Sequence, residues 1–229
     1  MTAAQDRIWD YYQNQSPTVF DENTGRLRYI LGHLSSGMKV LDIGVGNGTF
    51  EELALAKGVE VHALDPSSTS IETLKKHTNL GDKAKVGYSQ AIPFPELFFD
   101  AVVMSEVLEH LSEEALGATL KEVMRVLKPS AIFVGTVPSR EDITQSLVVC
   151  PHCGDKFHRW GHQRSYTPES LRGWLSVGFD VNCIIERKFI TLERRAGLAW
   201  LLALGRLLIN RLGVRIPDES LFFLARKRE

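Results

Sequence analysis

Three cysteines in 229 residues are too few for a disulfide framework, and two of them sit together as Cys150-Pro151-His152-Cys153. That scarcity suits a reducing, cytoplasmic setting. Charge of either sign is not in surplus. The 27 basic and 28 acidic side chains give a formal net charge of −1, so no global positive field holds a polyanion and nucleic acid is not expected as a main partner. The opening residues, Met1-Thr2-Ala3-Ala4-Gln5-Asp6, supply neither a basic n-region nor an apolar h-region, which argues against secretion. Internal repeats and low-complexity tracts are also missing. What remains is one α/β domain over residues 1–229, long enough to bury a core without staples.

Apolar positions at helical spacing (Ile8, Tyr11, Tyr12, then Leu27, Ile30, Leu31, Leu34), broken at Ser16-Pro17, predict two helices within residues 1–36. Strands and helices then alternate. The pattern predicts strands over Lys39 to Ile43, Val59 to Leu64, Lys85 to Tyr88, Asp100 to Met104 and Ala131 to Val137. Helices are predicted over Gly48 to Lys57, Ser67 to Thr78 and Glu113 to Leu127, the last closed by Lys128-Pro129. Such alternation implies a parallel sheet with crossover helices, and the almost wholly apolar strands imply cover on both faces. A further helix starts at Thr167-Pro168-Glu169, with Thr167 as cap and Pro168 in the first turn. Phe179 to Phe189 and Ser220 to Ala225 are the last two strands. Two insertions interrupt this frame: a polar Cys/His loop at 140–166 and a leucine-rich segment at 190–218.

The strand Val40-Leu41-Asp42-Ile43 runs into Gly44, Gly46 and Gly48, bare backbone that can press against a ligand lying over the next helix N-terminus. Two readings compete, dinucleotide binding and S-adenosylmethionine binding. Asp42, two residues before the first glycine, would repel a pyrophosphate but could order the turn near an ammonium group. Asp65 closes the second strand, where a carboxylate accepts from both ribose hydroxyls under either reading; its bland alternative is a cap for the helix beginning at Ser67.

Further along stand Gln90-Ala91-Ile92-Pro93-Phe94-Pro95 and Phe99-Asp100-Ala101-Val102-Val103-Met104-Ser105-Glu106-Val107-Leu108-Glu109-His110-Leu111. With these motifs in this order, the chain from roughly Asp21 to Phe179 resembles the class I S-adenosylmethionine-dependent methyltransferases. It looks most like the branch that includes ubiquinone-biosynthesis O-methyltransferases, whose Asn-x-x-Arg-Leu-x-Tyr-Ile segment is matched by Asn23-Thr24-Gly25-Arg26-Leu27-Arg28-Tyr29-Ile30. The resemblance implies a Rossmann-like, doubly wound α/β fold with a seven-stranded sheet, mostly parallel, its last strand antiparallel. It implies that Arg26 pairs with the cofactor carboxylate, Gly44 and Gly46 border the methionine portion, Asp65 holds the ribose and Ser105 lies beside the cofactor. The acidic residue that commonly meets adenine is replaced by Gly87-Tyr88-Ser89-Gln90, so Ser89 and Gln90, by backbone or side chain, are the expected substitutes. Glu109 and His110 serve either as an acid/base pair or as local support for the chain leaving the fourth strand.

Cys150, Cys153, His158 and His162 follow the spacing Cys-x₂-Cys-x₄-His-x₃-His, short enough for one loop to wrap a structural Zn²⁺ in a zinc-knuckle-like arrangement. The same His162 opens His162-Gln163-Arg164-Ser165-Tyr166-Thr167-Pro168-Glu169, which matches a family segment near the substrate. As a free imidazole it would be a base, as a zinc ligand it could not, and ligation is the reading the two thiols favour. The segment 196–214 is too interrupted to span a bilayer, but its arginine margin suits an anionic membrane surface or a lipid-like substrate; a lid or dimer helix is the alternative. The expected activity is methyl transfer from S-adenosylmethionine, with S-adenosylhomocysteine as product, to a small-molecule or lipid-linked acceptor, most simply at oxygen. His110 and His162 are the candidate bases. The protein is expected in the cytoplasm, with peripheral contact to the inner face of the membrane through 196–214. Two other readings are an RNA base methyltransferase that uses the zinc loop as a clamp and a non-catalytic cofactor-binding scaffold.

Overall fold

The computed structural model describes residues 7–9, 11–12, 24–189 and 220–228. The leucine-rich segment and the Ser16-Pro17 break therefore lie outside the described residues. The ordered frame begins with helix α1 (Thr24–Leu31), which buries Ile30 and Leu31, then strand β1 (Lys39–Ile43) and helix α2 (Thr49–Ala56). Strand β2 (Glu60–Asp65), helix α3 (Ser68–His77) and strand β3 (Ala84–Val86) follow. Strand β4 (Phe99–Ser105), helix α4 (Glu113–Val126) and strand β5 (Leu127–Pro138) complete the regular alternation. A small hairpin, β6 (Leu147–Val149) and β7 (Lys156–His158), rises from the Cys/His loop, where the sequence pattern predicts only irregular chain. Helix α5 (Pro168–Leu175) and strands β8 (Phe179–Arg187) and β9 (Ser220–Lys227) finish the domain.

Seven strands form one sheet in the order β3-β2-β1-β4-β5-β9-β8. The first five are mutually parallel, and β9 inserts antiparallel between β5 and β8, so the expected seven-stranded fold with an antiparallel last strand is what the chain adopts. Two cores cover the faces. Along β4 the side chains alternate between them, Phe99, Val102 and Met104 entering one and Ala101 and Val103 the other. That is why this strand reads as nearly continuous apolar sequence.

The third strand ends two residues early, at Val86, and the largest boundary difference is at β5. Lys128-Pro129 does not close helix α4 but lies inside β5, which starts at Leu127 and pairs with Phe99 across an irregularity. Ser130 has φ 58° there, so the strand turns sharply enough to accommodate a proline that an uninterrupted ladder would exclude. The start of α5 is as the sequence predicts: Thr167 accepts from the Ser170 amide and Pro168 occupies the first turn.

The strand order reverses between β1 and β4. Chains leaving the carboxyl ends of these neighbours diverge to opposite sides, opening a crevice above the sheet. The adjoining strand contact is tight: a Cβ on Gly135 would lie 1.8 Å from the Met104 carbonyl oxygen. Because that obstacle is backbone, Gly135→Ala is expected to lower stability by about 3 kcal/mol or more. Urea unfolding at neutral pH measures it; a loss under about 1 kcal/mol would show that the β4–β5 approach is looser than this geometry requires.

Candidate active site

The crevice closes into a chamber of about 280 Å³. Its floor is the glycine turn after β1, with Asp42, Gly44, Val45, Gly46 and Asn47. One wall is Arg26 and Leu27 of α1 with Ser105 and Glu106 at the end of β4. The opposite wall brings His110 together with His162, and Trp9, Tyr12 and Trp160 add an aromatic side. Tyr12 and Trp160 meet at 4.5 Å between ring centroids, and Trp9 packs edge-on to His110 at 4.1 Å.

The floor is shaped by hydrogen bonds that tie it to β2. The Asp65 carboxylate accepts from the Val45 amide at 3.1 Å and from the Ser67 amide at 2.8 Å, while the Gly44 amide donates to the Leu64 carbonyl. Gly44 has φ +91°, and a Cβ there would meet Val107 at 2.6 Å. Its bare backbone is required on both counts. The helix α3 cap is Ser67, not Asp65.

Beneath the turn lies a concentration of acid. Asp42 and Glu51 are both buried; burial raises the Asp42 carboxyl well above its ordinary range, with the Glu51 carboxyl adding to the effect, and burial pushes Glu51 up to about 7. Neither Glu51 carboxyl oxygen has a hydrogen-bond partner among the described residues. A positive charge beside Asp42, the one of the two that lines the chamber, would offset the cost of ionising it there. The residues therefore fit S-adenosylmethionine, whose ammonium and sulfonium are cationic, and do not fit a pyrophosphate.

Arg26 Nε donates to the Ser105 hydroxyl at 3.1 Å, and that hydroxyl lies 3.0 Å from Thr136. Its guanidinium also stands 3.5 Å from Glu106. Arg26 and Ser105 thus share the chamber as expected, but Arg26 already has an acidic neighbour, Glu106, that the sequence motif does not include. Glu106 adopts φ 58°, unusual for a side-chain-bearing residue, and this strain at the end of β4 turns the chain into the chamber wall.

Ser89 and Gln90 do not line the chamber. The Ser89 hydroxyl is turned toward Thr119 of α4 at 2.8 Å, so its side chain is not presented as a substitute for the missing adenine acid. Asp65 also stands behind the floor instead of lining it, holding the turn's amides.

Glu109 and His110 occupy a short helical turn, Leu108–His110, that the loop before α5 clamps in place. The Glu109 carbonyl accepts from the Gln163 amide at 2.8 Å, and Tyr166 donates its hydroxyl to the Leu108 carbonyl at 3.2 Å. Burial, reinforced by Glu106, raises the Glu109 carboxyl; burial, reinforced by His162, lowers His110 well below 6.5 and keeps it neutral.

The structure does not bring the four expected zinc ligands together. His158 and His162 stack at 4.6 Å between centroids, but the metal-competent groupings among the described residues are Glu141, His158, His162 and Glu109, His110, His162. Neither contains a cysteine. Cys150 and Cys153 sit at the tip of the β6–β7 hairpin, where the Cys153 thiol meets Asp155 at 3.3 Å and the Cys153 and His152 amides lower the Cys150 thiol's pKa. The spacing suggested a closed loop; pairing of Leu147 with His158 instead carries the thiols to the far end of a hairpin and leaves His158 at its base.

A profile of the methyltransferase-domain family matches residues 14–183, and the chain belongs to that family. It is an S-adenosylmethionine-dependent methyltransferase. The ubiquinone biosynthesis O-methyltransferase of Neisseria meningitidis serogroup A is 30% identical over 191 residues, covering 77% of this chain and 78% of that protein. That of Alkalilimnicola ehrlichii is 34% identical, covering 60% and 57% respectively. Among solved structures, a complex between the Haloferax volcanii Trm112 methyltransferase activator and the putative methyltransferase matches with a TM-score of 0.71 at 18% identity, covering 97% of this chain and 98% of that one. The Burkholderia thailandensis 1,6-didemethyltoxoflavin-N1-methyltransferase, with bound 1,6-didemethyltoxoflavin and S-adenosylhomocysteine, matches at 0.69 and 17% identity, covering 99% and 88%. At these identities the solved structures establish a shared fold.

The buried acids make a pH prediction. Glu51 titrates near 7 in the fold against 4.5 unperturbed, so between those values the native state holds more protons than the unfolded chain and stability falls as pH rises. The loss is on the order of 3 kcal/mol. Urea unfolding across that range should show it, and Glu51→Gln should reduce the slope while the raised Asp42 and Glu109 carboxyls keep its sign; an unchanged slope in that variant would assign the dependence elsewhere.

Proposed function

We propose that this methyltransferase acts on a hydroxyl oxygen of a small or lipid-linked acceptor with a substantial apolar body. The observation that carries the reading is a chamber joining the glycine turn and the buried Asp42 to an imidazole, His162, and the rings of Trp9, Tyr12 and Trp160. Arg26, Asp42, Gly44 and Gly46 would hold the methionine end of S-adenosylmethionine, with Asp65 fixing the turn beneath it. The cofactor supplies an electrophilic methyl group, which the acceptor oxygen takes as the sulfur–carbon bond breaks and S-adenosylhomocysteine is left.

The chain's own contribution is alignment, exclusion of water and removal of one proton. Trp9, Tyr12 and Trp160 offer flat apolar surface to an acceptor and leave little room for solvent beside it. Between the two candidate bases, His110 is enclosed by Trp9 and His162 and held neutral by burial, which suits it to support the wall. His162 is the base in this reading. The relatives named for O-methylation support oxygen as the acceptor atom. A net charge of −1 gives an RNA acceptor no support. Among the described residues no helix is long and apolar enough to cross a membrane. Contact with a membrane surface through 196–214 accompanies the lipid-linked version of the acceptor, and cysteine usage supports a cytoplasmic location.

Incubation with methyl-labelled S-adenosylmethionine and fractionated cell extract tests the assignment. Label is expected in the lipid or small-molecule fraction as an alkali-stable methyl ether; label confined to RNA or protein would refute it. His162→Ala should lower the rate by about 10²-fold or more while S-adenosylhomocysteine affinity stays within about twofold.

A further inference from the structure

Glu141 stands in the loop after β5, outside the family motifs, yet its carboxylate faces two histidines. One oxygen lies 2.5 Å from Nδ1 of His162 and the other 3.4 Å from Nε2 of His158. The His162 backbone N–H donates to Nδ1 of His158 at 3.1 Å. That bond requires a bare Nδ1 and so places the ring proton of neutral His158 on Nε2, facing the carboxylate. An ionised carboxylate only accepts, so Nδ1 of His162 carries the hydrogen and its Nε2 keeps a lone pair. His158 is 5% exposed and stacks on His162 at an interplanar angle of 20°, while His162 reaches the chamber and meets His110 edge-on.

We infer that Glu141 is the positioning residue of a Glu–His base, setting His162 in the Nδ1–H tautomer so that the Nε2 lone pair receives the acceptor's hydroxyl proton. His158 Nε2 stands 3.4 Å from the other carboxylate oxygen, an approach without a hydrogen bond. The inference rests on the O-methylation reading. In the step, the O–H proton passes to Nε2 of His162, the O–H electron pair stays on oxygen to form the new O–C bond, and the imidazolium so formed keeps its Nδ1–H on the Glu141 carboxylate. With the opposite tautomer Nε2 would carry a proton and could accept none. The competing occupant of these groups is a divalent cation shared by Glu141, His158 and His162. The backbone donor on His158 Nδ1 opposes it, because a metal on Nε2 would leave the neutral ring's proton nowhere but Nδ1, against that N–H.

Long-range ¹H–¹⁵N spectra of the full chain labelled at histidine nitrogen, saturated with S-adenosylhomocysteine, test this without turnover, with His162→Gln giving the assignment. The wild type should show His162 with Nε2 in the unprotonated range and Nδ1 in the protonated range. Glu141→Ala should move the ring toward the Nε2–H form, and Glu141→Gln, whose amide oxygen still accepts, should restore the wild-type pattern. A wild-type His162 protonated at Nε2, a pattern indifferent to Glu141→Ala, or one equivalent of added zinc shifting both His158 and His162 in the wild type would each overturn the inference. Should the wild type fail to bind S-adenosylhomocysteine in calorimetry, the functional reading falls and the base role with it. If binding holds and label enters no hydroxyl acceptor, the O-methylation reading falls while the tautomer result still measures the Glu141–His162 contact.

Discussion

The site depends on one backbone turn held by one carboxylate. Asp65, at the end of β2, takes the amides of Val45 and Ser67 on its two oxygens and so fixes where β1 stops and α2 begins. With Gly44 at φ +91° and Val107 2.6 Å from the position of its missing Cβ, the turn has little freedom to move toward β4. The strand-order reversal between β1 and β4 opens the crevice; the Asp65 contacts keep it from closing.

Around that turn, charge is distributed in opposite senses. Below it, Asp42 and Glu51 are buried acids with raised proton affinity, a poor arrangement for the free protein and a good one for a cationic ligand. Above it, burial keeps His110 neutral beside His162, so a second positive charge does not oppose the sulfonium expected nearby. Stability and binding are therefore in tension: replacing the acids by neutral isosteres should relieve the fold and weaken the site, the usual signature of a functional constraint.

The sheet was legible because its signals are local. Period and apolar continuity located all seven strands, and Thr167-Pro168 announced its helix. The β5 start was misplaced because Lys128-Pro129 carries a strong stop signal that only the pairing of Leu127 with Phe99 overrides. In the site, Asp42, Gly44, Gly46, Arg26, Ser105, His110 and His162 could be named from motifs and do line one chamber. Glu106, Glu141 and the aromatic wall could not, since their roles come from a strained φ, a loop reaching back across 21 residues, and an N-terminal segment whose partner Trp160 is far away in sequence. Trp160 lying between His158 and His162 was the one available hint.

The Cys/His loop shows why spacing misleads when a hairpin intervenes. Linear distance from Cys153 to His158 suits a single knuckle, but β6 and β7 pair with Leu147 opposite His158, so Cys150 and the exposed Cys153 sit at the tip while His158 sits at the base. The loop's contribution to the site is therefore mechanical. Its downstream arm donates the Gln163 amide to the Glu109 carbonyl and the Arg164 guanidinium to the Leu111 carbonyl at 2.9 Å, gripping the turn that carries His110. His162 lies next to that grip and meets Glu141 on its other side, so contacts to backbone carbonyls and one carboxylate fix the two histidine-bearing segments relative to each other. With Nδ1 of His162 against Glu141, the ring's second nitrogen is left toward His110 and the chamber, whereas a ligand set built from the same histidines would draw on that nitrogen or displace the carboxylate.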